Sequence, residues 1–188
     1  WLQDLLKQGK TTSATLQKMA QSGCVAITME ERLRLEEHTV PRDQPLTLTE
    51  DQQQALAQIH RLSSCAQVLL HGVTGSGKTE VYLQAIAPIL EKGKSALVLV
   101  PEIGLTPQLT DRFRARFGGR VRVYHSALSD GERYDTWRYL LNKEPQVVIG
   151  TRSAVFAPLP NLGLIILDEE HDSGYKQEQP APCYHART

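Results

Sequence analysis

Much is missing from this 188-residue chain, and each gap closes off a possibility. It has no net charge, because 21 basic residues balance 21 acidic ones. A global positive field of the kind that gathers nucleic acid around a histone-like or tail-driven binder is therefore excluded, although a local basic groove is not. Cysteine is scarce: Cys24, Cys65 and Cys183 are odd in number, far apart and without a CxxC pair. That leaves no basis for a zinc site or a disulfide framework and points to a reducing, cytoplasmic setting. No apolar run approaches the roughly 20 residues that span a bilayer, so no membrane partner is expected. The opening "WLQDLLKQGK" lacks the layout of a signal peptide. Internal repeats and low-complexity tracts are absent. An initiator methionine is missing as well, and "CYHART" completes no element, so both ends read as cut and the chain as a piece of something longer.

What is present is a chain that is 40% hydrophobic, enough to bury a core. Its texture changes near residue 46. Before that point, Leu2, Leu5 and Leu6 suggest a short helix. A second helix is expected in "SATLQKMAQSG", with Leu16, Met19 and Ala20 on one face and Gly23 as its stop. A strand, "CVAIT", and a charged run, "MEERLRLEEH", follow. Helix, helix, strand suits the back end of a winged helix and equally any small α+β piece. "VPRDQPLTLT", with Pro41 and Pro45, reads as a linker. From Thr49 onward, helical segments alternate with short apolar runs. "TEDQQQALAQIHRL" opens with Thr49 and Gln52 at capping-box spacing. "QVLLH", "SALVLV", "VRVYH", "QVVIG" and "LGLIILD" are too short for helices and rich in Val, Ile and Leu. Such runs, separated by helices, imply a parallel sheet covered on both faces.

Two turns carry the chemistry. Gly72, Val73, Thr74, Gly75, Ser76, Gly77, Lys78 and Thr79 spell the complete P-loop pattern between an expected strand and an expected helix. Glycines allow the backbone to bend and come close, and the amides at the helix start stabilise phosphate charge. Lys78 would reach the β- and γ-phosphates of ATP, and the Thr79 hydroxyl would ligate Mg²⁺. The matching acid belongs at the carboxyl end of a neighbouring strand. Asp168-Glu169-Glu170-His171 follows "LGLIIL" there. Asp168 would hold the metal, Glu169 would polarise the attacking water, and His171 would couple the nucleotide to another binding surface. Catalytic work thus falls to Lys78, Asp168 and Glu169.

A P-loop joined to this acidic box resembles the superfamily 2 helicases and translocases. The strings "VTGSGKTEVY", "LVPEIGLTPQL", "VYHSALSDGER", "VVIGTRSAVFAPLPNLGLIILDEEHDSGYKQ" and "CYHART" narrow the resemblance to the PriA-type replication-restart helicase family, from about Leu48 to the end. The resemblance implies an α/β, RecA-like P-loop NTPase fold. It divides the chain into a partial winged-helix DNA-binding domain (1–40), a linker (41–47) and a first helicase lobe (48–188). It further implies an ATP-dependent 3′-to-5′ DNA helicase of stalled forks, with single-stranded and forked DNA, primosome proteins and single-strand-binding proteins as partners. The family's zinc sites are expected only beyond this chain.

Residue roles follow from the same resemblance. Gln52 sits where the family has a glutamine upstream of the P-loop, positioned for adenine, and it also fits a plain capping box. Thr106, Gln108, Thr151 and Arg152 fall in segments lining the path of single-stranded DNA, and the threonines suit helix caps equally well. His125, Ser126 and Arg133 are structural or DNA-adjacent. Tyr175 and Tyr184 belong to an aromatic loop that reports DNA occupancy, where they would stack on bases or position neighbours. The chain departs from the family in carrying Cys183-Tyr184-His185-Ala186-Arg187-Thr188 where Arg-Tyr-His-Ala-Arg-Asp is usual, and Gly104 where alanine is usual. Without a second lobe to supply an arginine to the γ-phosphate, this chain is expected to bind ATP and to hydrolyse it slowly or not at all. Other readings are another superfamily 2 translocase, a DNA-binding adaptor with a vestigial ATP site and, least, a nucleotide kinase.

Overall fold

The computed structural model describes residues 6, 8–27, 40–141, 144–177 and 183–184. The chain divides into two compact units, Trp1–Arg32 and Leu33–Thr188. In the first, helix α1 (Ser13–Gln21) starts where the Thr12 hydroxyl accepts from the Thr15 amide, and it ends before Gly23, whose φ of 74° stops it as expected. Residues 25–27, expected within a strand, belong to none. The first expected helix and the charged run fall almost wholly outside the described residues.

The second unit is built on a parallel sheet. Its strands are β1 (Ser95–Leu99), β2 (Val121–Tyr124), β3 (Val147–Gly150) and β4 (Leu162–Leu167), in the order β2-β3-β1-β4. Each pair is parallel, with Val98 opposite Ile149 on one side and Ile166 on the other. Strand periodicity then sorts the side chains. Ala96, Val98, Val100, Val147 and Ile149 face one way, against Leu83, Ile86 and Leu90 of α3 (Lys78–Glu91) and Phe113 and Phe117 of α4 (Pro107–Phe117). Leu97, Leu99 and Val148 face the other way, against Leu140 of α5 (Asp130–Leu140), Ala154 and Tyr175. Burial on both faces is why these strands read as continuous apolar runs.

The helix starts follow local rules. Helix α2 (Glu50–Arg61) and α5 both open on capping boxes, Thr49 with Gln52 and Ser129 with Glu132. In α4 the Thr106 hydroxyl caps the Leu109 amide and Pro107 occupies the first turn, where its missing N–H costs nothing. Gly150 ends β3 so close to the Tyr124 carbonyl that any Cβ there would collide with it. After the sheet, β5 (Lys176–Gln177) and β6 (Cys183–Tyr184) form a small antiparallel pair.

One expected strand is not found. "QVLLH", residues 67–71, joins no ladder among the described residues; Val68 is 48% exposed and Leu69 72%. An apolar run can be buried in a sheet, but its composition does not supply the neighbouring edge that pairing requires. Here the run approaches the P-loop as irregular backbone, and Leu162 and Ile165 of β4 are themselves exposed.

Candidate functional site

The turn from Gly72 to Gly77 leads directly into α3. Gly75 and Gly77 have φ of 81° and 79°, the left-handed region that favours glycine. A Cβ on Gly77 would also come within 2.5 Å of Gln52 Nε2. Gly77 is the N-cap residue and no side chain caps the helix start, so the first-turn amides face outward from a 14-residue helix. This is the arrangement that receives phosphate. Val73, Thr74, Gly75 and Ser76 are exposed. Lys78 folds back across the turn, its Nζ donating to the carbonyls of Gly72 at 2.7 Å and Val73 at 3.0 Å. The glycines, the uncapped amides, the lysine and Thr79 in the first turn together fit a nucleotide phosphate chain.

Gln52 serves two purposes at once. Its Oε1 accepts from the Thr49 amide at 2.9 Å, closing the capping box, while its Nε2 donates to the Ser76 carbonyl at 2.8 Å. The amide therefore braces the P-loop from outside.

The acidic turn leaves β4 on a ladder bond, Asp168 N to Leu99 O at 2.9 Å. Two tyrosines hold Asp168. Tyr82 donates from its hydroxyl to Asp168 Oδ1 at 3.0 Å, and Tyr175 donates to the Asp168 carbonyl at 2.8 Å. Tyr82 is one helical turn beyond Lys78, so this hydrogen bond ties the P-loop helix to the acidic turn. Burial, then the charge of Asp168, pushes both phenols above their usual range, which keeps them protonated as donors. Glu169 has φ of 47°. A non-glycine residue in that region is a costly conformation typical of functional sites. The side chains of Glu169 and His171 are exposed. Among the described residues, no three His, Cys, Asp or Glu side chains gather into a metal site of their own. Magnesium at Thr79 and Asp168 would take its remaining oxygens from phosphate and water, as it ordinarily does.

The residues expected to meet DNA divide into two groups. Thr106 and Gln108 are exposed at the start of α4, beyond the carboxyl end of β1. Thr151 and Tyr175 are each 3% exposed, so in this conformation neither offers a surface to DNA. The Thr151 hydroxyl has no partner among the described residues, and Tyr175 is engaged with Asp168. Arg152 reaches the carbonyls of Gly174 at 3.4 Å and Lys176 at 3.3 Å, pinning the segment after the acidic turn. Tyr184 pairs through its backbone with Lys176; residues 185–188 lie outside the described residues.

Sequence reasoning missed Tyr82 and Glu80, both in "KTEVY". Glu80 could have been found. It lies one turn before Leu83 in a helix whose other positions are mostly apolar, and a buried carboxylate needs a partner. That partner is Arg116 of α4, whose guanidinium meets Glu80 at 3.1 Å.

P-loop, acidic turn and parallel sheet define a helicase-type motor lobe, and residues 49–185 match the DEAD/DEAH box helicase family, to which the chain belongs. Within it, the chain is 62% identical to the replication restart protein PriA of Synechocystis sp. over 100% of its own length and 23% of the relative's. It is 50% identical to PriA of Bacillus subtilis over 98% of the chain and 23% of that protein. With PriA of Haemophilus influenzae it shares 54% identity over 76% of the chain and 19% of that protein. The sequence fits a segment of a PriA protein and spans about a quarter of the length of these relatives. The UvsW helicase of bacteriophage T4 shares the fold, with a TM-score of 0.50 and 20% identity over 85% of this chain and 61% of that one.

Proposed function

We propose that this chain is the first motor lobe of an ATP-dependent, 3′-to-5′ DNA helicase of replication restart. In this reading the turn from Gly72 to Gly77, with Lys78 and Thr79, holds the phosphates of ATP. Gln52 fixes that turn and reaches toward adenine. Thr79 and Asp168 hold Mg²⁺, and Glu169 orients the attacking water. Bound Mg–ATP supplies the phosphoryl group whose transfer to water drives movement. Thr106, Gln108 and Arg152 line part of the single-stranded DNA path, and His171 couples that path to the nucleotide. Tyr175 acts from the interior, by holding Asp168. Forked DNA, primosome proteins and single-strand-binding proteins are partners of the whole protein, which works in the cytoplasm. Residues 1–40 serve as part of a winged-helix DNA-binding domain.

The observation that carries this reading is the Tyr82–Asp168 hydrogen bond, because it holds the P-loop helix and the acidic turn at one corner of the sheet. Binding of a fluorescent ATP analogue with Mg²⁺ tests it. The parent chain should bind, and Lys78→Ala should bind about 30-fold more weakly or worse, the cost of removing one charged partner. Equal binding by the two chains would defeat the proposal.

A further inference from the structure

The first turn of α3 has a second attachment, on the side away from the phosphates. Glu80 directly follows Thr79, and its side chain is only 7% exposed. Arg116, from the last turn of α4 and also 7% exposed, meets it with two parallel hydrogen bonds, Nη1 to Oε1 and Nη2 to Oε2, each 3.1 Å. A buried ion pair is tolerated only when its remaining hydrogen-bonding capacity is also met. Here Arg116 Nε is buried without a partner among the described residues, and most of the rest of that capacity is met by one short segment. Glu80 Oε1 accepts from the Leu46 amide at 3.1 Å and from Gln84 Nε2 at 2.8 Å. Gln84 also donates to the Leu46 carbonyl at 2.8 Å. Arg116 Nη2 donates to the Gln44 carbonyl at 3.1 Å and to Asp43 at 3.4 Å. The Asp43 amide donates to the Ala115 carbonyl at 3.0 Å, and Arg42 donates to the Arg116 carbonyl at 3.2 Å.

Residues 42–46 are thus strapped across the bases of α3 and α4, and the strap runs on into Thr49 and Gln52. Gln52 holds the Ser76 carbonyl just before Lys78 and Thr79, and Leu46 holds Glu80 just after them. One stretch of chain therefore brackets the segment that carries Lys78 and Thr79, at the helix end of the turn. We infer that Glu80 and Arg116 are positioning residues for the nucleotide, and that the 42–46 strap and nucleotide occupancy are coupled through them. This rests on the nucleotide reading above and adds a device that the P-loop pattern does not require. Coupling of this kind is reciprocal: nucleotide should tighten the strap by the factor by which the strap tightens nucleotide binding.

The test uses the 188-residue chain and the fluorescent ATP analogue with Mg²⁺, at a temperature where circular dichroism shows each variant folded. Glu80→Gln and Arg116→Gln should each bind about tenfold more weakly, in the ordinary range of coupling between sites. The double variant should lose no more than the worse single one, because the two act as a unit. Arg116→Lys, keeping the charge but not the paired geometry, should fall between. A purely structural pair would lower the melting temperature and leave the dissociation constant of the folded molecules within twofold of the parent; that result overturns the inference. If a variant does not fold, the parent decides alone. Hydrogen exchange at the Leu46 amide should slow by about tenfold when the analogue saturates the site, by reciprocity, and unchanged exchange overturns the coupling. Should the parent bind no analogue, the nucleotide reading itself fails and this inference with it, whereas a parent that binds beside variants that bind equally well removes the strap alone.

Discussion

Helix α2 is flanked by two segments of opposite character, and each is held in the way its composition would not suggest. On one side, residues 42–46 are polar and proline-bearing, yet Arg42, Asp43, Gln44 and Leu46 are all hydrogen-bonded to α3 or α4. On the other, residues 67–71 are mostly apolar, yet Val68 and Leu69 are 48% and 72% exposed and belong to no ladder among the described residues. Hydrophobicity measures what a segment gains by burial, not whether a partner is present to bury it. The polar segment is held because Glu80 and Arg116 are buried and still have lone pairs and protons to satisfy. The Leu46 amide and the Gln44 carbonyl of the strap meet part of that need, beside the Gln84 side chain of α3.

The largest effect should come from breaking that arrangement. Arg116→Ala leaves Glu80 buried beside an empty guanidinium site, which costs about 3–5 kcal/mol. At ~2–4 °C per kcal/mol for a domain of this size, the melting temperature should fall by about 10 °C. The loss should depend on pH in a defined direction. Burial alone would raise the Glu80 carboxyl, but hydrogen bonds from Arg116, Gln84 and the Leu46 amide outweigh it and hold the group below its ordinary value of 4.5. A lowered carboxyl pKa gives stability that is present above 4.5 and lost as pH falls through the lower, folded-state value. Urea melts of parent and Arg116→Ala should therefore converge below that pH. A gap that stays constant would mean the pair contributes by packing and not by charge.

A smaller effect is expected at Tyr82→Phe. It removes one hydrogen bond to a carboxylate, worth about 1.5 kcal/mol where the acceptor stays partly hydrated. The Tyr82 phenol is raised from 10.0 by burial and by Asp168, so its contribution is intact below pH 10 and fades as pH rises above it. The variant should lack its share of that alkaline decline. Because Asp168 would lose its link to α3, the variant should also weaken nucleotide binding more in the presence of Mg²⁺ than in its absence.

How much of this could be read beforehand depended on the range of the interaction. Helix starts were legible because a cap is made by residues three positions apart, as with Thr49 and Gln52 or Ser129 and Glu132. Four of the five expected strands of the sheet were legible because burial on both faces leaves a continuous apolar run. The P-loop was legible because glycine spacing itself encodes backbone shape. The Glu80–Arg116 pair lies 36 residues apart in sequence, so only its symptom, a carboxylate in a mostly apolar helix, was visible. For Tyr175 the residues leave two roles open, stacking on bases and positioning a neighbour, for a related reason. Only the fold shows that its hydroxyl bonds the Asp168 carbonyl and that its ring belongs to the core cluster with Leu99 and Val148.

Next in size is Thr49→Ala. The cap loses the hydroxyl that accepts from the Gln52 amide, at a cost of about 1 kcal/mol. Its value here is directional. The Thr49 amide still donates to Gln52, so the brace on Ser76 should survive, and stability should fall while nucleotide affinity stays within about twofold of the parent, well under the range of coupled sites. A parallel loss of affinity would extend the strap's reach through the whole of α2's first turn.

The smallest expected change tests the other half of the comparison. Leu69→Ser replaces a mostly exposed apolar side chain with a small polar one, and surface substitutions of this kind usually stay within about 0.5 kcal/mol. Solubility should improve slightly, because Val68, Leu69 and Val73 lie near one another in sequence as exposed apolar residues. A loss above about 2 kcal/mol would instead match the truncation of a buried leucine. The comparison would then dissolve: residues 67–71 would be core after all, and the edge of β4, unpaired among the described residues and with Leu162 and Ile165 exposed, would be the natural place for them to pair. Because Leu69 lies three residues before Gly72, that outcome would also give the P-loop turn a rigid support on its upstream side. The strap at residues 42–46 and the Gln52 brace would then share the positioning of Lys78 with it.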